Sequence, residues 1–391
     1  MDVLLSEEEQ MVKNLAREYL EAECSTELAR EMELDELGYS PALWKQMADL
    51  GWFVMAIPEA YGGQVLPLTY LGIVLEEVGR AIAPVPFHST MVAALTIAQD
   101  GTDEQKQQIL PKVAYGDSIL TWAFTEQSPK YLPDTIHTEA TKDGDNYVIS
   151  GTKMFVDNFN VAEKCLVVCR TAPESSANEG ISVFLVDTAN EGITQSPLVT
   201  IAKDKQSKVV FDQVRVPASN MIGIQDQGWP IVNDMLDRGT ALLCAQMVGA
   251  ARKDAELAIE YAKGRVAFGR PIGSFQSIQH MCADMTIWVD GGQMLTFEAL
   301  WRMDQGLPAS IEVSQAKSFC NEKCEAAVRS SQVIHGGIGF MMEFDLHLWF
   351  RRVSAWTMRM GTSFEHRARI AEMLIDQPGK VRLGMPMTPV A

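Results

Sequence analysis

The sequence lacks any apolar run approaching the roughly 20 residues that a membrane-spanning helix requires, so no such span is expected. It lacks a CxxC pair, and its six histidines show no HExxH or comparable spacing, so no metal centre is expected. Basic residues are few: 33 Lys and Arg stand against 51 Asp and Glu, a net charge of −18. So acidic a chain is a poor partner for nucleic acid, although local arginines and helix N-termini can still hold an anionic cofactor. The opening stretch, MDVLLSEEEQMVKNLAREYL, has no basic segment leading into an apolar block. A secretory leader is therefore not expected, and the cytoplasm is the expected compartment. Seven cysteines, an odd number, read as reduced buried thiols, with Cys320 and Cys324 four apart on one helix. Internal repeats and low-complexity tracts are absent.

What is present is globular. At 391 residues the chain is long for one core, so two or three domains are expected. Helical periodicity dominates residues 1–117: EEQMVKNLAREYL is amphipathic, and Leu71, Val74, Leu75 and Val78 share one face of a helix over Leu68 to Ile82. Pro58 and Tyr61-Gly62-Gly63 break the pattern, and a further helix runs from Asp103 to near Gly116. Residues 118–222 change texture. Short β-type runs at Ile119–Phe124, Tyr147–Ile149, Lys153–Val156, Cys165–Cys169, Ser182–Val186 and Lys208–Phe211 are separated by turn formers, the sharpest being Asp143-Gly144-Asp145-Asn146. Residues 223–391 return to helix, with long stretches over Ile231 to Arg265, 276–304, 308–333 and 343–376, which suggest a bundle. Pro378 to Ala391 reads as a loose tail.

Three phrases are more specific than this pattern. Arg265-Val-Ala-Phe-Gly-Arg-Pro-Ile-Gly-Ser-Phe-Gln276 resembles the RxxFGxPIxxFQ run of acyl-CoA dehydrogenases. His335-Gly-Gly-Ile-Gly-Phe-Met-Met-Glu343 resembles that family's GGxGYxxE run. Thr125-Glu126 followed by Gly151-Thr-Lys-Met-Phe-Val-Asp-Asn158 is the third match, and the three occur in the family's order over essentially the whole chain. The resemblance implies an α+β fold: an N-terminal α-helical domain, a middle β-barrel-like domain and a C-terminal four-helix bundle. It also implies bound FAD. Trp122, Phe124 and Thr125 would meet the flavin, with Thr125 on its pyrimidine edge, Phe155 against the ring and Asp157 near N5. Arg265, Phe268 and Gln276 would hold the pyrophosphate and adenosine of a neighbouring subunit's cofactor, a task that suits a planar guanidinium. Val333, His335, Gly336, Gly337 and Thr362 complete the implied set, the glycines allowing close backbone approach.

The departures from the family pattern bear on catalysis. The usual glutamate of Glu-Gly-Thr, which removes the substrate α-proton, is Met360 before Gly361 and Thr362; a thioether is no base at neutral pH. The alternative glutamate-arginine positions used by some relatives fall on Gly239 and Thr240, and a third falls on Gln246. Asp237 and Arg238 lie two residues out of register, about 200° around a helix. The glutamine three residues before the first glycine is Val333, with Gln332 one place early. The AGSD loop is replaced by Gln127-Ser-Pro-Lys-Tyr-Leu-Pro, and the threonine near N5 by Asp157.

The Met360 amide could still hold a thioester carbonyl, with Gly361, Gly239 and Thr240 near the substrate. The resemblance therefore implies FAD-dependent α,β-dehydrogenation of an acyl-CoA with a relocated base, Asp157, Asp237 and His88 being the candidates. Residues Ala83 to Ala94, APVPFHSTMVAA, suggest a pocket that is not a simple narrow channel, and the relocated base resembles relatives that take a bulky, alicyclic or aromatic acyl group. The alternative is a catalytically silent subunit of a heteromeric dehydrogenase; an O₂-using oxidase is a third reading. An electron-transferring flavoprotein as acceptor, and a homotetramer or heterotetramer, follow from the resemblance alone.

Overall fold

The computed structural model describes residues 4–376; the tail from Pro378 lies outside them. In chain order the helices are α1 (Glu7–Glu23), α2 (Thr26–Leu34), α3 (Pro41–Asp49), α4 (Leu68–Arg80), α5 (Phe87–Asp100) and α6 (Asp103–Ala114). Strands β1 (Leu120–Ala123), β2 (Glu139–Asp143), β3 (Asn146–Asp157), β4 (Lys164–Arg170), β5 (Ile181–Asp187), β6 (Ile193–Leu198), β7 (Gln206–Pro217) and β8 (Met221–Ile222) follow. Then come α7 (Trp229–Gly264), a small hairpin of β9 (Val266–Ala267) and β10 (Arg270–Pro271), α8 (Gln276–Asp304), α9 (Ser310–His335), α10 (Leu346–Trp356) and α11 (Ser363–Asp376). No described helix is long and apolar enough to cross a membrane.

The chain forms two compact units. One comprises the described parts of Met1–Ala29, Pro67–Ala83 and Thr240–Ala391; the other comprises Arg30–Leu66 and Pro84–Gly239. In the helical unit, α4 meets α7 backbone to backbone. A Cβ on Gly79 would lie 2.0 Å from the Gln246 carbonyl oxygen, and one on Gly249 would lie 1.7 Å from that of Glu76. Helix α1 is tied to α4 by ion pairs to two buried carboxylates, Lys13–Glu76 at 2.9 Å and the half-buried Arg17 to Glu77 at 2.7 Å. Ser6 and Glu9 form a capping box that starts α1, satisfying amides that the helix itself cannot.

In the other unit the strands form one sheet in the order β6-β7-β3-β2-β4-β5-β8, with β1 beside β4. Alternate residues Cys165, Val167 and Cys169 of β4 and Phe184 and Val186 of β5 enter its core, the period-two pattern of a strand. All seven cysteines are free and six are buried.

Three expectations change. The runs at 147–149 and 153–156 are one strand, β3, whose pairing with β7 shifts register at Ile149/Gly151 and at Lys153/Val156. The helix expected over 343–376 is two, because Met360 (φ +56) and Gly361 (φ +98) leave the right-handed region between α10 and α11. The pocket expected from Ala83 to Ala94 is largely core: Phe87 and Met91 are fully buried, and Phe87 packs on Phe53 with ring centroids 5.2 Å apart. Only Val85 and His88 of that stretch are half-buried.

Candidate functional site

In the sheet unit, β1 runs directly into Thr125 and Glu126, and the second β3 bulge lies beside them. The Met154 amide donates to the Thr125 carbonyl at 2.8 Å. Lys153 is wholly buried; its Nζ donates to Glu126 Oε1 at 2.8 Å and to the Phe124 carbonyl at 3.2 Å. The same carboxylate accepts the amides of His137 and Thr138, each at 3.0 Å. Burial pushes the Glu126 carboxyl up, but the Lys153 ammonium and these bonds outweigh it and hold it below the usual range. One ion pair therefore ties together the end of β1, the β3 bulge and the residues His137 and Thr138 that lead into β2.

The bulge has a purpose for Phe155. The residue sits at φ +54, a conformation that is an outlier for a bulky side chain, and its ring is 44% exposed on a strand whose other residues are buried or half-buried. The strain re-aims an aromatic face outward, as a flavin wall requires. The Trp122 indole N–H is buried and donates to no group among the described residues, a donor suited to an oxygen-rich cofactor edge. Thr125 is buried as well. Phe124 is a different case. Its ring is buried, stacked on Tyr131 of the replacement loop (5.5 Å, 7°) and tilted against Trp229 (6.4 Å), so its side chain is core rather than a cofactor wall.

Asp157 is half-buried, and its carbonyl accepts the Thr121 hydroxyl. His88, at the start of α5, donates from Nε2 to the Gly239 carbonyl of α7 at 2.8 Å. Its neighbour Ser89 accepts the Asn158 amide at 3.1 Å, which brings the α5 start to the end of β3. Asp237, a candidate base, is buried on α7. Arg238 turns to α5, where it donates to Gln99 and Thr96.

In the helical unit, α7 gives way to the β9–β10 hairpin. Arg265 is exposed, and its carbonyl accepts the Ile272 amide at 2.8 Å. Phe268, left-handed at φ +53, projects its ring 94% exposed. Phe275 lies edge-on to it and beneath the Arg270 guanidinium at 4.2 Å, just before Gln276 opens α8. At the end of α9, Val333 is 65% exposed, whereas Gln332 is buried with neither amide atom partnered among the described residues. Gln332 thus points inward and does not replace the family's glutamine on the Val333 face. His335 is buried, stacked on Tyr261 at 4.4 Å. Gly336 (φ +63) caps the helix, a conformation that favours glycine. At Gly337 a Cβ would meet nothing within 4 Å, so the fold itself does not demand glycine there.

The Met360 loop is held from three sides. His366 Nε2 donates to the Met360 carbonyl at 2.8 Å, and its Nδ1 pairs with the Ser314 hydroxyl at 3.2 Å. Asn321 donates to the Gly361 carbonyl at 3.1 Å. Lys317, fully buried, donates to Asn321 Oδ1 at 2.8 Å and to the Trp356 carbonyl at 2.6 Å. Burial draws the Lys317 ammonium down to about 8 and the His366 imidazole down to about 3, so the imidazole is neutral. Among the described residues no acceptor takes the Met360 amide. The Thr362 hydroxyl is engaged by Glu365 at 2.8 Å as the cap of α11, which sets a carboxylate where the family reading puts a phosphate contact.

The sequence pointed to Met360 but missed the residues that hold it. The signal for Lys317 was its place in the helical stripe Val313, Lys317, Cys320, Cys324, where an unpartnered ammonium would be costly.

Comparison with known proteins agrees. Three family models match in chain order: acyl-CoA dehydrogenase N-terminal domain over residues 6–117, middle domain over 121–214 and C-terminal domain over 226–375. The chain is 30% identical over 382 residues to a probable acyl-CoA dehydrogenase, YngJ, of Bacillus subtilis (strain 168), covering 96% of this chain and 100% of that protein. Among solved structures it resembles the Tcur3481-Tcur3483 steroid ACAD (30% identity, TM-score 0.86, 95% of this chain and 98% of that one). It also resembles the ChsE4-ChsE5 complex from Mycobacterium tuberculosis (27% identity, TM-score 0.89, 97% and 100%). With its three domains matched end to end, the chain belongs to the acyl-CoA dehydrogenase family, FAD-dependent oxidoreductases acting on CH–CH bonds.

Proposed function

We propose that the chain takes part in FAD-dependent α,β-dehydrogenation of an acyl-CoA carrying a bulky, alicyclic or aromatic group, with the base drawn from outside the family's usual positions. The observation that carries this is the Met360 loop: its carbonyl is pinned by His366 while its own amide has no acceptor among the described residues. A carbonyl-holding donor is thus retained where the carboxylate has been lost. FAD, when bound, supplies the acceptor for the two electrons of the reaction. Trp122 and Thr125 would orient it through hydrogen bonds, Phe155 would cover its ring, and Gly337 would let backbone approach. Arg265, Phe268 and Gln276 would serve the cofactor of a neighbouring copy or sister chain, which fits the outward Phe268 ring and implies a homotetramer or heterotetramer. His88, Asp157 and Asp237 remain the candidate bases; the hydrogen bond of His88 to the Gly239 carbonyl supports it over the other two. An electron-transferring flavoprotein is the proposed acceptor, and the cytoplasm the proposed compartment.

A second reading is that the chain is the silent, FAD-binding subunit of a heteromeric dehydrogenase. Met360, Gly239 and Thr240 are all unable to take a proton, and one similar solved structure is a complex of two named components. The similarity to a steroid ACAD supports the bulky acyl group under either reading. Two measurements separate them. Turnover of an acyl-CoA by the purified chain alone excludes the silent subunit. Met360→Glu, assayed with straight-chain acyl-CoAs, should raise activity from background by a factor of at least about 100 if only the base is missing. No gain with FAD bound would show that the pocket differs in more than its base.

A further inference from the structure

We infer that His366 is a positioning residue for the substrate thioester: it sets the Met360 amide in carbonyl-binding orientation and does so as a neutral hydrogen-bond relay from Ser314. This rests on the acyl-CoA reading above. Met360 is a non-glycine residue in left-handed backbone, a state that persists only where surroundings over-determine it. Glu365 takes the Thr362 amide, whereas each side chain that reaches the loop from α9, and His366 itself, acts on a carbonyl. Lys317 takes that of Trp356, His366 that of Met360 and Asn321 that of Gly361. Of these, the His366 bond fixes the peptide plane that follows Met360, and with the Met360 side chain buried, the direction of its amide is fixed too.

The relay has a defined polarity. A carbonyl can only accept, so Nε2 carries the proton and Nδ1 is the acceptor for Ser314. Burial keeps the imidazole uncharged, and the charges of Lys317 on α9 and Arg369 on its own helix α11, both cations, act in the same direction. A neutral donor holds the loop without placing another full charge beside Lys317.

The test uses two probes identical except for the carbonyl oxygen: benzoyl-CoA, which has no α-hydrogen to lose, and its thioether S-benzyl-CoA. Binding is measured by calorimetry on the FAD-loaded oligomer as isolated. The wild type should prefer benzoyl-CoA. His366→Leu should weaken benzoyl-CoA binding by about tenfold and S-benzyl-CoA by less than about twofold, the scale of one lost hydrogen bond. His366→Gln keeps an N–H donor and should stay within about threefold of wild type on both. If His366→Leu does not fold, Ser314→Ala takes its place and should show a smaller loss confined to the thioester. Equal losses on both probes, or none on either, overturn the inference while leaving acyl-CoA binding intact. A wild type that binds neither probe, or cannot tell them apart, instead sinks the underlying carbonyl-binding reading.

Discussion

Phe155 and Met360 share a left-handed backbone that costs a side chain about 1 kcal/mol or more, yet the surroundings that enforce it differ. At Phe155 the restraint is ionic. The buried Lys153–Glu126 pair clamps the strands on either side, and the ring beyond them is left facing out. At Met360 the restraint is a set of hydrogen bonds to backbone carbonyls from His366, Asn321 and Lys317, and the side chain is turned in. The lesson is that a site can be preorganised either by rigid scaffolding next to it or by direct contact with its own backbone. The first should fail all at once, the second by degrees.

The largest expected effect tests the first half. Lys153→Met leaves a buried carboxylate unpaired and should cost about 3–5 kcal/mol in denaturant unfolding. Adding Glu126→Gln should restore a good part of that, because the uncompensated charge is gone. If the single variant costs under about 1 kcal/mol, the clamp is not what holds the bulge.

Phe155→Gly sharpens the contrast. Relief of strain offsets the loss of a half-exposed ring, so stability should change by less than about 1 kcal/mol. FAD affinity should nevertheless fall by about tenfold, since a stacking face is removed. A stability loss as large as that of Lys153→Met would mean that the ring serves the core.

A further test is in pH. An unfolded imidazole titrates near about 6.5, whereas the buried His366 imidazole is drawn down to about 3. Between those values the unfolded chain binds a proton that the folded chain refuses, so stability falls as pH drops through that window. Lys317, drawn down to about 8, acts likewise at the alkaline end: stability should rise from pH 8 towards the ordinary lysine value. Thermal midpoints of His366→Gln should lose the acid component and keep the alkaline one; an unchanged acid limb would place the titrating group elsewhere.

Much of this was legible in the sequence, for identifiable reasons. The long helices announced themselves by period, and α8 begins and ends at the expected residues, Gln276 and Asp304. The β4 and β5 runs were visible because both bury apolar side chains. Strands β2 and β6 were not, because EATKD and ITQSPL are largely exposed and carry no apolar alternation. The break at Met360 was hidden inside a helical pattern that continues on either side. The candidate cofactor residues came from phrases rather than from pattern, and phrases report position without orientation. That is why Phe124 proved to be core, why Gln332 faces inward, and why Asp237 is buried. The network of Ser314, Lys317, Asn321 and His366 spans two helices and a loop, and no local spacing encodes it.

The account depends most on the chain holding a flavin. Apoprotein titrated with FAD, followed by the visible absorption of the protein fraction after gel filtration, tests this directly. Saturable uptake should occur with the protein running as an oligomer, and Arg265→Ala should weaken it. Protein that stays colourless at saturating FAD, alone and when mixed with a sister chain, would contradict the account.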